Sequence, residues 1–180
     1  MRFHRIMPVP AESPFYKAVA YDLAGVAYTR LWRAETFSPT DLSAITIMLE
    51  GTEPVDYLSN PLSLPLCSHR FRDVILAMCA GQVEFVPIRL HSPAGVEDRY
   101  LFINVTRQVD CVDLERSLVP KRPGRTKPHV IEFAFADDRI PDGVHILKVP
   151  ECSTSIFLSE PLARSFVGGF TGFGFIPNRL

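Results

Sequence analysis

The clearest periodicity in the chain begins at Ser68, behind which Phe71, Val74, Ile75, Met78 and Cys79 recur at helical spacing until Gly81 stands where a helix ends. The pattern predicts one amphipathic helix. Around it the period falls to two. Residues 83–90 read as a strand in which Pro87, having no N–H to donate, belongs at an edge or a bulge. Residues 99–106 read as a second strand, with Leu101, Ile103 and Val105 alternating against Phe102 and Asn104, and the linker 92–98 makes the two a hairpin candidate. Residues 109–114, 129–136, 144–149 and 155–158 are strand-like, separated by a stretch of loop composition at 120–128 and a turn-rich segment at 137–143. Ser159, Glu160 and Pro161 open a brief second helix carrying Leu162 and Phe166, and Gly168 and Gly169 close it.

Ahead of Ser68 the pattern is irregular. Residues 17–23 could form a strand, and Ser38, Pro39, Thr40 and Asp41 mark a helix start or a turn before the run 42–49, where β-branched residues compete with helix. The chain therefore divides into a mixed N-terminal lobe, 1–63, and a more legible region, 64–180, expected to form one compact unit together. One echo links distant parts. Ser68, a helix, Gly81 and Phe85-Val86-Pro87 parallel Ser159, a helix, Gly168 and Phe175-Ile176-Pro177, with serine-to-proline spacings of 19 and 18. A duplicated helix-strand unit would explain it. Strands in hairpin-like succession, with helices inserted and no strict alternation, predict an α+β fold with a largely antiparallel sheet and a few short helices.

Composition narrows the function classes. A chain of 180 residues can bury a core without staples, and its 16 prolines exclude long uninterrupted helices. A net charge of −1 argues against affinity drawn from many phosphate contacts. The cysteines, Cys67, Cys79, Cys111 and Cys152, lie far apart in apolar or strand-like stretches and read as buried thiols. The N-terminus has no continuous apolar segment before Pro8 and Pro10, and no run is long enough to span a bilayer, so a cytoplasmic protein without a membrane partner is expected.

Chemistry-bearing motifs are sparse. His4, His69, His91, His129 and His145 stand singly, with no pair at metal-ligand spacing. Cys111 has Asp110 and Asp113 beside it, and negative neighbours suppress a thiolate. The glycine-rich stretch 168–174 has no room for a helix after it, so a tight turn with Phe170, Phe173 and Phe175 packing inward fits better than a phosphate cradle. Glu97 with Asp98, and Asp113 with Glu115, are adjacent carboxylates without the cleft that acid–base work needs. No catalytic residue, cofactor or metal is expected. Two charge clusters are candidate partner contacts: the basic run Lys121, Arg122, Arg125 and Lys127, and the acidic set Asp137, Asp138 and Asp142, which would attract a basic surface.

An ordered series of segments gives the chain a family likeness. Leu66-Cys67-Ser68-His69-Arg70-Phe71-Arg72-Asp73-Val74-Ile75 is followed by Val83-Glu84-Phe85-Val86-Pro87-Ile88, then Tyr100-Leu101-Phe102-Ile103-Asn104-Val105, then Val112-Asp113-Leu114-Glu115-Arg116-Ser117. Ile140-Pro141-Asp142-Gly143-Val144-His145-Ile146-Leu147-Lys148, Ile156-Phe157-Leu158-Ser159-Glu160 and Thr171-Gly172-Phe173-Gly174-Phe175-Ile176-Pro177 complete it. Over residues 64–178 the chain resembles the eleventh numbered family of bacterial polymorphic-toxin immunity proteins. The resemblance implies an antitoxin that binds a cognate secreted toxin, in some relatives a nuclease of the histidine-metal type, and occludes its active site. It brings no catalytic residue. A nucleic-acid-binding regulator using the 121–127 loop, and a non-catalytic adaptor of a secretion system, are the alternatives left open by the residues themselves.

Overall fold

The computed structural model describes residues 2–9, 14–38, 42–120 and 128–178. Along the chain these form β1 (Phe3–Pro8), β2 (Lys17–Asp22), β3 (Thr46–Glu50), β4 (Tyr57–Leu58), β5 (Leu66–Ser68), α1 (His69–Cys79), β6 (Val83–Pro87), β7 (Arg89–Ser92), β8 (Gly95–Glu97), β9 (Tyr100–Val105), β10 (Ile146–Val149), β11 (Cys152–Ser159), α2 (Glu160–Arg164) and β12 (Phe173–Pro177), with 3-10 turns at Tyr28–Trp32 and Asp137–Arg139. The strands make three four-stranded sheets, ordered β2-β3-β7-β8, β4-β5-β9-β6 and β10-β11-β1-β12. Among the pairings of these described strands, only β3–β7 is parallel. The fold is α+β with mostly antiparallel sheets.

The helix predicted behind Ser68 forms because its ends are satisfied locally. The Ser68 hydroxyl accepts from the Phe71 N–H at 3.2 Å, Gly81 takes φ +78°, and Phe71, Ile75 and Cys79 are buried. Phe71 is the hub of an aromatic cluster: its ring stacks on Phe166 with centroids 4.2 Å apart and meets Tyr57, Phe170 and Phe173 edge-on or tilted.

The sequence echo has a topological counterpart. In one sheet β5 runs directly into α1, and the chain returns as β6 on the far side of β9; in another β11 runs directly into α2, and the chain returns as β12 on the far side of β1. Each unit lacks a middle strand of its own. β9 and β1, from elsewhere in the chain, fill the two gaps in antiparallel register.

Several segments depart from the local pattern. The run 83–90 is split between two sheets: β6 ends at Pro87, where no N–H is available for the ladder, and the chain crosses at buried Ile88 to β7. The expected hairpin partner, β9, does pair with β6, but the linker holds a hairpin of its own, β7–β8. All six residues of β9 are buried, because Tyr100 and Phe102 face one core while Ile103 and Val105 face another. Runs 109–114 and 129–136 are not strands. Val112 and Phe135 share a single bridge, Leu118 and Glu132 another, and Phe133, Ala134 and Phe135 are buried without a ladder. Residues 42–44 turn before β3 begins at Thr46, so the 42–49 run yields a strand.

A polar knot fastens the glycine-rich segment. The Asp56 carboxylate accepts from Arg70 at 2.6 and 3.1 Å, from the Ser68 hydroxyl at 2.9 Å and from the Thr171 N–H at 3.0 Å. Burial would raise its pKa; the Arg70, Ser68 and Thr171 hydrogen bonds outweigh that and hold it below the usual carboxylate range. Arg70 also donates to the Gly169 carbonyl and lies over the Phe170 ring. Gly172, at φ +89°, passes so close to the Tyr57 carbonyl that a Cβ would sit 2.1 Å from its oxygen. The stretch 168–174 is thus a structural turn, with Phe170, Phe173 and Phe175 partly buried against the α1–α2 core.

Candidate functional site

The acidic candidates share one exposed loop. Asp137 and Asp138 open a 3-10 turn, and Asp142 precedes Gly143, whose φ of +75° lets the chain reverse into β10. Gln82 braces this loop from the end of α1, donating to the Gly143 carbonyl at 2.9 Å and accepting from the His145 N–H at 3.1 Å. The basic candidates Lys121, Arg122 and Arg125, with Lys127, lie outside the described residues.

The expected thiols and imidazoles are tied into the fold. Cys67, Cys79 and Cys111 are buried, and burial pushes the thiols of Cys79 and Cys111 up to about 12, for Cys111 with help from Glu151 and Asp110. Cys152 is only half-buried, its sulfur 3.1 Å from the Ser155 hydroxyl, because it starts β11 at the rim of a groove. His69 contacts the Asp98 carbonyl and Arg72, and His145 contacts the Ser159 hydroxyl. Among the described residues no three His, Cys, Asp or Glu side chains converge as metal ligands would.

A cleft that the sequence did not announce lies where the N-terminal segment crosses the end of the β10–β11 hairpin. One wall comes from the Tyr28–Trp32 turn, whose Leu31 and Trp32 are buried. The residues just beyond that turn are pinned to the middle sheet: Asn104 donates to the Glu35 carbonyl at 2.6 Å and to the Glu84 carboxylate at 3.0 Å, and the Phe37 N–H donates to the same Glu84 oxygen at 3.2 Å. Tyr28 donates its hydroxyl to the Leu62 carbonyl at 3.0 Å. The opposite wall is Pro150, Ser153 and Thr154. Between them is a volume of about 730 Å³.

Lys148 on β10 floors this cleft and is 1% exposed. Its backbone is fully engaged, the N–H donating to the Arg107 carbonyl and the carbonyl accepting from Val109, each at 2.9 Å. Among the described residues its Nζ makes one long hydrogen bond, 3.4 Å to the Trp32 carbonyl. Burial pushes its pKa down to about 8. Trp32, the only tryptophan, is 4% exposed, and its buried Nε1 has no acceptor among the described residues. At the rim Arg33 and Glu35 pair at 3.3 Å. By period-two spacing Lys148 falls on the strand face of apolar Val144 and Ile146, and the Tyr28–Trp32 segment, distant in the chain, lies against it there.

A second exposed feature is the outer face of the β2-β3-β7-β8 sheet, where Ala20, Met48, His91 and Val96 stand in one cross-strand row. Met48 is 45% and Val96 66% exposed, a composition compatible with a contact surface.

Comparison with known protein families places residues 35–178 under the immunity protein family Imm11. The chain belongs to this family. The match starts nearly thirty residues ahead of the region legible in the sequence, and so takes in Glu35, Phe37 and every strand from β3 to β12, but not β1 or β2. Lys148 lies inside it, while Tyr28, Trp32 and Arg33 lie just ahead of it. No curated protein matches the chain. Among the described residues no helix is long and apolar enough to cross a membrane.

Proposed function

We propose that this protein is the antitoxin of a bacterial polymorphic-toxin system, acting in the cytoplasm of the cell that makes the toxin and blocking it by covering its active site. The observation that carries this reading is the family match across residues 35–178, four-fifths of the chain. An inhibitor of this kind needs no reactive group. It needs a stable scaffold and a complementary surface, and an interface of about 1,600 Å² with a few buried anchors provides tight binding. The exposed Asp137, Asp138 and Asp142 loop would speed encounter with a basic toxin surface. A nuclease is the toxin class that the resemblance favours.

The experiment begins with the toxin encoded beside this gene. Deleting the gene should leave cells sensitive to that toxin, and the purified chain should form a 1:1 complex in which the toxin's activity, read as DNA or RNA degradation for a nuclease, is abolished. A stable complex with undiminished toxin activity rejects occlusion; survival of the deletion strain rejects the antitoxin role.

A further inference from the structure

Two buried hydrogen-bond donors among the residues that line the cleft, on Lys148 and Trp32, are short of acceptors. An ammonium carries three N–H bonds, yet among the described residues Lys148 Nζ meets one carbonyl, at 3.4 Å, and Trp32 Nε1 meets none. Both side chains are more than nine-tenths buried, and both line the cleft. The charges around the cleft are also unbalanced: of the residues that line it, Arg33 and Lys148 face a single carboxylate, Glu35, which is already held by Arg33 at 3.3 Å and by Arg30 at 3.7 Å. Among these residues one uncompensated positive charge remains, at the floor. We propose that this cleft receives a single aspartate or glutamate side chain of the toxin, its carboxylate accepting from Lys148 Nζ and Trp32 Nε1 while Arg33 lies at the rim.

Three features select that occupant. A lone ammonium matches the single charge of a carboxylate, whereas a phosphate brings up to two and would leave one unpaired. Tyr28 and Pro150 offer apolar surface beside the entry, and desolvation of an entering group against them would strengthen the ion pair. A volume of about 730 Å³ has room for the side chain together with the turn of backbone that carries it. Burial lowers the proton affinity of Lys148, and a bound carboxylate would oppose that effect. The proposal rests on the antitoxin reading for its partner and goes beyond it in naming the anchor.

Because Trp32 is the only tryptophan, its indole N–H gives one resonance in a nitrogen-15 correlation spectrum, a direct report on the cleft. Toxin binding should move that resonance. Lys148→Met should weaken toxin binding by at least about 30-fold, and one acidic residue of the toxin, replaced by its amide, should cost the same and add nothing on top of Lys148→Met. Sodium acetate should shift the indole resonance of the wild type and not of Lys148→Met, with sodium chloride at equal ionic strength as the control. If the toxin binds but Lys148→Met binds equally well and the indole is unmoved, the anchor is wrong and the antitoxin reading stands. Inorganic phosphate acting at lower concentration than acetate overturns the carboxylate assignment, and Lys148-dependent self-association overturns the toxin as occupant. A wild-type chain that binds no toxin sinks the antitoxin reading and this proposal together.

Discussion

Lys148 costs the isolated fold stability at neutral pH. Its amine has a folded pKa of about 8 against an ordinary 10.5, so between those values the unfolded chain holds more protons than the folded one, and stability rises with pH across that window. Below about pH 8 both states are protonated and the full penalty applies. A shift of this size corresponds to at most about 3 kcal/mol. Lys148→Met is therefore expected to stabilise the protein by about 1–3 kcal/mol at pH 7. The gain should shrink as the pH approaches 10, which urea unfolding at pH 7 and pH 9.5 will measure. No gain at pH 7 would mean that the ammonium is already compensated. The proposed toxin carboxylate would offset this cost in the complex.

Between α2 and β12 and behind α1 the same element, a glycine at positive φ, does two different jobs. Gly81, φ +78°, has nothing within 4 Å of the place a Cβ would occupy, so Gly81→Ala meets only the backbone preference and should cost about 1 kcal/mol. Gly172 has a similar φ of +89°, but a Cβ there would lie 2.1 Å from the Tyr57 carbonyl oxygen and 3.1 Å from Val55 Cβ. Gly172→Ala must displace the segment from β4 and should cost at least about 3 kcal/mol. It should also loosen the Asp56 knot, since Thr171 is its neighbour and donates to that carboxylate. Comparing the two variants by thermal melting checks this. Equal losses would show that the close approach to Tyr57 carries no energy.

Across the whole molecule, the first strand is the piece on which one sheet depends. β1 lies between β11 and β12, which have no ladder with each other, and Phe3 and Ile6 join two different buried clusters. The Tyr28–Trp32 turn and Leu42, Ile45 and Ile47 of β3 and its approach pack with Val86, Leu90 and Phe102 in a third. A chain begun at residue 35, where the family match starts, is expected to lose the cooperative unfolding transition of the full chain, because removing β1 leaves two unpaired strand edges and two opened cores. Circular dichroism during urea unfolding reads this directly. A sharp transition of undiminished amplitude in the truncated chain would make the N-terminal segment an appendage.

Local chemistry alone determined α1, since the Ser68 cap, the i, i+4 spacing of Phe71, Ile75 and Cys79, and the left-handed Gly81 are all satisfied within a dozen residues or so. It also placed β10 and the brief α2 and pointed to the α+β class, while β2 was only one option for residues 17–23, and the ordered segments from Leu66 to Pro177 carried the family. What the tertiary structure decided was membership and cover. Whether 83–90 is one strand or two depends on which distant strands accept its N–H groups, and whether 129–136 needs a ladder depends on how its apolar side chains are buried. The candidate cleft belongs wholly to that second kind. Lys148 is solvent-facing or buried according to where residues 28–35 lie, and a period-two pattern records only which side of a strand a residue is on, never what covers that side.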